Sequence, residues 1–289
     1  MKSKIKGIVF ILTAAFFFAL MNVFVKMAGD LPLAQKSFFR NLIAFFFAWI
    51  VMIRKKEKPD IRKDNMISLI ARASAGTIGI VCNYYAIDHM VTADANTLNK
   101  LSPFFVIIFS YFILKEKITF KQSICVLLAG IGSLFVVKPS LTIFSHPASI
   151  IGMLGGMSAG LAYTLVRVCS KKNTPSSTIV LFFSGFSCLA ALPFFILSPA
   201  SMTLHQLLIM TGAGISGGIG QFAVTSAYSY APAREISVYD YSQVIFSTVL
   251  GIIILSELPD IHSFIGYIII IGAGILMFVF NKKTDTISA

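Results

Sequence analysis

The stretch Ala93–Glu116 reads ADANTLNKLSPFFVIIFSYFILKE. Its second half, from Phe104 to Leu114, is apolar enough for lipid, whereas Asp94, Asn96, Asn99, Lys100 and Ser102 fall where length alone would place hydrocarbon. Asn96, Asn99 or Lys100, and Pro103 recur at i, i+3/i+4 and i+7, so they share one helical face. A lysine deep in a bilayer costs roughly 2.5–3.5 kcal/mol on insertion scales, so it must face protein, water or a ligand. Pro103 leaves a carbonyl of the preceding turn without its donor, which kinks or loosens the helix there. A polar, proline-interrupted face inside a membrane helix points to a substrate pathway. The alternative is a structural cluster that holds helices together.

The rest of the chain agrees with a bilayer as solvent. Hydrophobic residues make up 56% of it and charged ones 12%, about half the charge of a soluble domain, and the mean hydropathy is +0.84. The formal charge of +12 is then a matter of loop lysines and arginines at a membrane face and does not imply nucleic acid. Cys82, Cys125, Cys169 and Cys188 all lie in apolar runs without C-x-x-C spacing, as free core thiols do. The basic N-terminus precedes an apolar run too long for a signal-peptide core, so it reads as a retained first helix.

Ten spans account for the chain, near Ile5–Ala28, Leu33–Ile53, Met66–Ile87, Thr92–Leu114, Phe120–Val137, Ser149–Cys169, Thr178–Leu197, Leu204–Tyr228, Arg234–Leu255 and His262–Phe280. Each is about long enough for a hydrocarbon core of roughly 30 Å. With a cytoplasmic N-terminus, most of the 24 lysines and arginines fall in cytoplasmic positions, including the one long polar loop around Arg54, Lys55, Lys56, Arg62 and Lys63. Both termini are therefore expected inside, in a bacterial-type plasma membrane. His89, His146, His205 and His262 land at the outer ends, as interfacial histidines without metal-ligand spacing.

The chain also matches itself at a shift of 141. Leu20 and Val25 fall on Leu161 and Val166, Asn22 on Tyr163, Lys26 on Arg167, Gly76 on Gly217, Phe105 on Phe246, Leu114 on Leu255 and Glu116 on Glu257. Each repeat holds five spans, an odd number, so the second is inverted relative to the first. The fold expected is an all-α polytopic membrane protein, ten transmembrane helices forming two inverted five-helix repeats, residues 1–140 and 141–289. Inverted repeats point to a transporter with its site near the midplane between the halves.

The segment AIDHMVTADANTLNKLSPFFVIIFSYFILKEKITFKQ with AGIGSLFVVKP, and the later AYSYAPAREISVYDYSQVIFSTVLGIIILSELPD with GYIIIIGAGILM, resemble the two halves of the EamA family of the drug/metabolite transporter superfamily. The resemblance spans the whole chain. It implies a ten-helix secondary transporter with cytoplasmic termini, a central cavity between the repeats, and peripheral fifth and tenth helices. Phe39-Arg40-Asn41 resembles the family's arginine in the second span. Where the family often has Glu-Pro, this chain has Ser102-Pro103, and Gln243-Val244 in the second half. SFFR with Ala71-Arg72-Ala73 also resembles a branch associated with S-adenosylmethionine uptake.

The polar groups within spans define the expected solute site: Asn22, Arg40, Asn83, Tyr84, Asn96, Asn99, Lys100, Tyr163, Gln221, Tyr239, Asp240 and Gln243. Aromatic rings with amides suit an organic solute whose flat parts stack and whose heteroatoms need partners. Arg40 is suited to a carboxylate or phosphate, or pairs with Asp94 or Glu235. Arg72 is expected to snorkel from the start of its span. Lys100 and Asp240, nearly repeat mates, are expected at similar depth, framing the site. Midplane cations outnumber anions, which favours a carboxylate-bearing, amino-acid-like metabolite. Asp94, Glu235 and Asp240 are candidates for proton or ion coupling, and homodimerisation stays open. No H-E-x-x-H, G-x-S-x-G or Walker A pattern marks an enzyme, and no cofactor is expected. A channel or a non-transporting membrane scaffold remains the alternative.

Overall fold

The structure, a computed structural model of the chain, describes residues 2–60, 63–90, 92–141, 147–197, 199–256 and 259–287. Arg62, His146 and Glu257, and the side chains of Tyr84 and Asp94, lie outside the described residues. The helices are α1 (Lys2–Met27), α2 (Leu33–Arg54), α3 (Lys63–His89), α4 (Thr92–Asn99), α5 (Ser102–Leu114), α6 (Phe120–Val137), α7 (Ala148–Lys171), α8 (Ser176–Leu197), α9 (Leu204–Tyr230), α10 (Ala233–Ile236), α11 (Ser242–Leu255) and α12 (Ile261–Ile287). Among the described residues, ten segments are long and apolar enough to cross a membrane. Phe112, Leu189, Ile253 and Ile268 stand largely exposed on the outside of the bundle, where lipid and not water is the fitting solvent.

Two spans are discontinuous, and they are repeat mates. The fourth is α4 and α5, interrupted at Lys100 and Leu101; the ninth is α10 and α11, joined by a 3₁₀ turn over Ser237–Tyr241. Pro103 sits in the first turn of α5, where its missing N–H costs no hydrogen bond. No proline marks the ninth span. There the Ser242 hydroxyl donates to the Tyr239 carbonyl at 2.6 Å, a local bond that competes with the regular ladder.

The inverted repeat is visible in the backbone itself. Lys115 and Ser256, 141 residues apart, end α5 and α11 in the left-handed region (φ 55° and 57°), their N–H groups bonded to Ser110 and Gly251 carbonyls. Thr119 caps α6 by accepting from the Gln122 N–H at 3.4 Å, and Asp260 caps α12 by accepting from the Ser263 N–H at 3.1 Å. The packing obeys the same exchange. The first span lies on the eighth and the third on the sixth; the second meets the seventh and the fifth the tenth. The fourth span leans on the sixth as the ninth leans on the first. The main contacts therefore run between the repeats, and the core is common property.

One core cluster joins α1, α3, α7, α8, α9 and α10 around Ile11, Leu69, Val166, Ile179, Met210 and Ile236. A second, around Cys125, Val126, Tyr241, Ile270 and Met277, ties α6 and α12 to the broken ninth span. At the α6–α12 crossing, a Cβ on Gly132 would stand 2.9 Å from the Gly266 carbonyl, and one on Gly266 would stand 2.5 Å from the Gly132 carbonyl. Only glycine permits that approach.

Lys4, Asn281 and Lys282 line one pocket, so both chain ends lie on the same side, here the termini face. Its loops are bonded to each other: Lys4 to Glu235 at 3.0 Å, Lys172 Nζ to the Asp64 carbonyl at 2.7 Å, and Arg234 to the Lys117 carbonyl. The distal face has its own ties, with Gln35 and Ala200 bonded through Nε2–carbonyl and N–H–Oε1 contacts of 2.9 Å each and Lys138 paired with Asp260.

Candidate solute site between the repeats

The two helix breaks meet. Lys100 Nζ donates to Gln243 Oε1 at 2.6 Å and stands 3.8 Å from Asp240 Oδ2. Interruption of the fourth span also strands a carbonyl: the Phe104 N–H bonds Leu101 instead of Lys100. The Tyr241 hydroxyl supplies the donor, reaching the Lys100 carbonyl at 3.0 Å. Cation, carboxylate and amide thus come from opposite repeats at a shared depth, with side-chain exposures of 14% for Lys100 and 8% for Asp240.

Tyr163 of α7 stacks on Tyr228 of α9, ring centres 5.4 Å apart. A second cluster, Arg40 of α2 and Arg72 of α3, packs against Gly217 and Gln221 of α9. In that second cluster, Arg40 Nη2 donates to Asn41 Oδ1 at 3.2 Å. Its stem runs beside Gly217, with Cγ and Cδ 3.5 and 3.6 Å from where a Cβ would be. Glu235, considered above as a partner for Arg40, pairs with Lys4 instead.

Arg72 does not snorkel. It is 2% exposed; its Nη2 donates to Gln221 Oε1 at 3.3 Å, and its guanidinium lies 4.0 Å from the centre of the Phe183 ring. The next turn of α3 presents Gly76, which leaves room for the guanidinium: a Cβ there would meet Arg72 Nη1 at 2.5 Å. Sequence alone offered the small residue one turn on, but not the ring that closes the slot from α8.

The remaining expected residues divide. Gln221 and Gln243 hold Arg72 and Lys100 as described. Asn99 is half-buried and Asn96 exposed on the same face of the fourth span, while Pro103 further along it is buried. Asn83 is half-buried where α3 crosses α7, its backbone N–H 3.2 Å from where a Gly155 Cβ would be. Asn22 is exposed near the distal end of α1. Tyr239 turns away: its hydroxyl donates to the Gly274 carbonyl at 3.1 Å, against α12 and outside the cluster.

A network missing from the sequence reading ties helix ends together on the termini side. Arg167 Nη1 donates to the Tyr228 and Ser229 carbonyls at 3.0 and 2.8 Å, covering the end of α9, and Arg167 Nε stands 3.7 Å from Glu116. Lys171 stands 3.9 Å from the same carboxylate. The signal was present in Lys115-Glu116-Lys117 and in the match of Arg167 to Lys26, both of which bore only on topology. Among the described residues no group of three metal-ligating side chains occurs.

Two interlocked inverted repeats, each with a broken helix bringing charge to the seam between them, define a membrane transporter. The chain belongs to the EamA-like transporter family, whose model matches it twice, over residues 5–138 and 146–280. It is 30% identical to the pseudopaline exporter CntI of Pseudomonas aeruginosa over 94% of this chain and 95% of that one. It is 25% identical to an uncharacterised transporter of Helicobacter pylori, over 94% of each. A riboflavin transporter of Brucella anthropi is 24% identical over 90% of this chain and 94% of its own. A solved crystal structure at 15% identity has a TM-score of 0.81, covering 95% of this chain and 98% of that one, which is a likeness of fold. Family and relatives are transporters, and the chain is a multi-pass membrane transporter rather than an enzyme.

Proposed function

We propose that the protein is a secondary transporter that moves a carboxylate-bearing, amino-acid-like metabolite across the plasma membrane by alternating access, with both termini in the cytoplasm and the two repeats dividing near residue 140. The observation that carries this reading is the Lys100–Asp240 pair at the meeting of two broken helices from opposite repeats. A zwitterion replaces both partners at once, its carboxylate taking Lys100 and its ammonium taking Asp240. Each charge then keeps an opposite charge in a medium where an unpaired one is costly. Tyr163 and Tyr228 offer ring faces to the rest of the solute. S-adenosylmethionine, which carries such an amino-acid end, belongs to the same class.

Of the carboxylates considered for ion coupling whose side chains are described, Asp240 stands at the meeting of the helix breaks and Glu235 by Lys4, and Asp240 is our candidate. Flux of candidate amino acids and S-adenosylmethionine into proteoliposomes tests the reading, with and without a proton gradient. Saturable uptake that the Lys100→Met/Asp240→Leu variant lacks supports it. Non-saturating flux would make the protein a channel, and uptake by that double variant at the unmodified rate would remove the site.

A further inference from the structure

The Lys100–Asp240 reading leaves Arg72 unused. It is the largest fully buried side chain among the described residues, yet its Nε and Nη1 have no hydrogen-bond partner. No carboxylate pairs with it among those residues. Asp240 stands by Lys100, Glu116 by Arg167, Glu235 by Lys4 and Asp260 by Lys138. What Arg72 has is a neutral amide, Gln221, and the face of Phe183. Ionisable groups held within a membrane bundle mark solute or ion pathways by default, and a planar guanidinium is the side chain best shaped to take a carboxylate or phosphate.

Its surroundings also tie it to the other arginine of the interior. Gln221, its partner, lies one turn along α9 from Gly217, which packs on the stem of Arg40. Among the described side chains, the bundle interior therefore holds three cations, Lys100, Arg40 and Arg72, against the carboxylate of Asp240, an excess that one carboxylate of a simple zwitterion does not neutralise.

We infer that Arg72 receives a second acidic group of the solute, which makes the transported compound an amino acid with two or more acidic groups. This rests on the reading of Lys100 and Asp240 given above. The ammonium goes to Asp240 and one carboxylate to Lys100. The second acidic group reaches the guanidinium in the slot between Gly76 and Phe183. In the present arrangement the guanidinium itself fills that slot, so Arg72 meets the solute as the bundle turns over.

Matched pairs that differ only by the second acid test this: glutamine against glutamate, and asparagine against aspartate. Binding to the purified full-length protein is measured by calorimetry and by ligand-induced shift of the melting temperature. At least one diacid is expected to bind tenfold or more tighter than its amide. Arg72→Met should reduce that preference to under twofold, and Arg72→Lys should retain part of it. Lys100→Gln should weaken both members of a pair alike. The melting temperature of each variant without ligand reports a merely structural role, since an Arg72 that only pins α3 to α9 would lower it without changing the ratio within a pair. Equal binding of acid and amide by the unmodified protein, no diacid binding, or a preference intact in Arg72→Met overturns the proposal. Amide binding lost in Lys100→Gln would leave the function proposed above standing even then.

Discussion

The fourth and ninth spans answer the same design problem differently. Both break near the midplane and both end in a left-handed cap at a non-glycine residue, 141 positions apart. The fourth breaks at a proline, brings the cation Lys100, and leaves Asn96 exposed and Asn99 half-buried. The ninth breaks without a proline and brings the anion Asp240. Its matching positions Ser237 and Asp240 are 0% and 6% exposed. The backbone keeps the symmetry that turnover between two mirror states requires, while the side chains abandon it to make a polar, chiral site.

The largest effect should come from breaking the charge opposition itself. Lys100→Met and Asp240→Leu each leave the other charge buried and unpaired, a loss on the order of 3–5 kcal/mol. Both single variants should lose detergent stability and nearly all uptake. The double variant should regain stability but not uptake, as followed by melting temperature and proteoliposome flux. Uptake restored in the double variant would reduce the pair to a structural tie.

A smaller but clear loss should follow from stiffening the crossing of α9 with α1, on which the ninth span also packs. Gly217→Leu sets a side chain where a Cβ alone would already stand 3.0 Å from Met21 Sδ, an overpacking cost of roughly 1–3 kcal/mol. Insertion should survive, as judged by membrane-fraction yield, while the transport rate falls. Full activity would mean that this crossing does not move.

Solvent access sharpens the comparison directly. In a cysteine-free background, Asn96→Cys should react with a membrane-impermeant maleimide added from the distal side, and Ser237→Cys should react at least tenfold more slowly. Lys56→Cys and Lys171→Cys should label only from the cytoplasmic side and Ser201→Cys only from outside. Equal labelling of Asn96→Cys and Ser237→Cys would erase the asymmetry between the two spans. The reverse sidedness of the loops would overturn the topology.

The smallest effect belongs to the ends of the two peripheral helices. Lys138, at the end of α6, and the Ser263 N–H hold the Asp260 carboxyl well below the usual carboxylate range. A depressed folded-state value contributes stability that is present above the ordinary carboxylate range and lost as pH falls through and below it. Because the pair is exposed, salt screens it. Asp260→Asn should flatten the stability profile slightly below about pH 4 and leave uptake near neutrality unchanged. An unchanged acid profile would show that the pair carries no stability.

Much of this was legible from the chain because apolar runs and their stop signals are local. Phe120–Val137 was placed with its observed bounds, between the Thr119 cap and the turn at Lys138. The break in the fourth span was signalled by Pro103, but the one in the ninth was not, since it depends on a serine hydroxyl bonding back to a carbonyl. Whether a charge is buried is a property of what faces it. Arg72 reads as a snorkelling residue until Gly76 and Phe183 are placed around it, and Glu235 finds Lys4 across most of the sequence. Tyr239 and Tyr241 look equivalent in the sequence, yet the 3₁₀ turn sends one hydroxyl to Gly274 and the other to Lys100.

The packing of the first span on the eighth carries a consequence for how the protein is made. When α1 leaves the ribosome, the helix that covers it has not been translated. At roughly 5–20 residues per second, the wait is on the order of ten seconds or longer. Through that interval α1, α2 and α3 reside in the bilayer with Arg40 and Arg72 lacking their α9 neighbours. The nascent first half is thus a client in need of shelter, and the insertion machinery or a lipid annulus has to provide it. Two polypeptides divided in the loop before Ala148 should accumulate only when produced together, each acting as the other's chaperone.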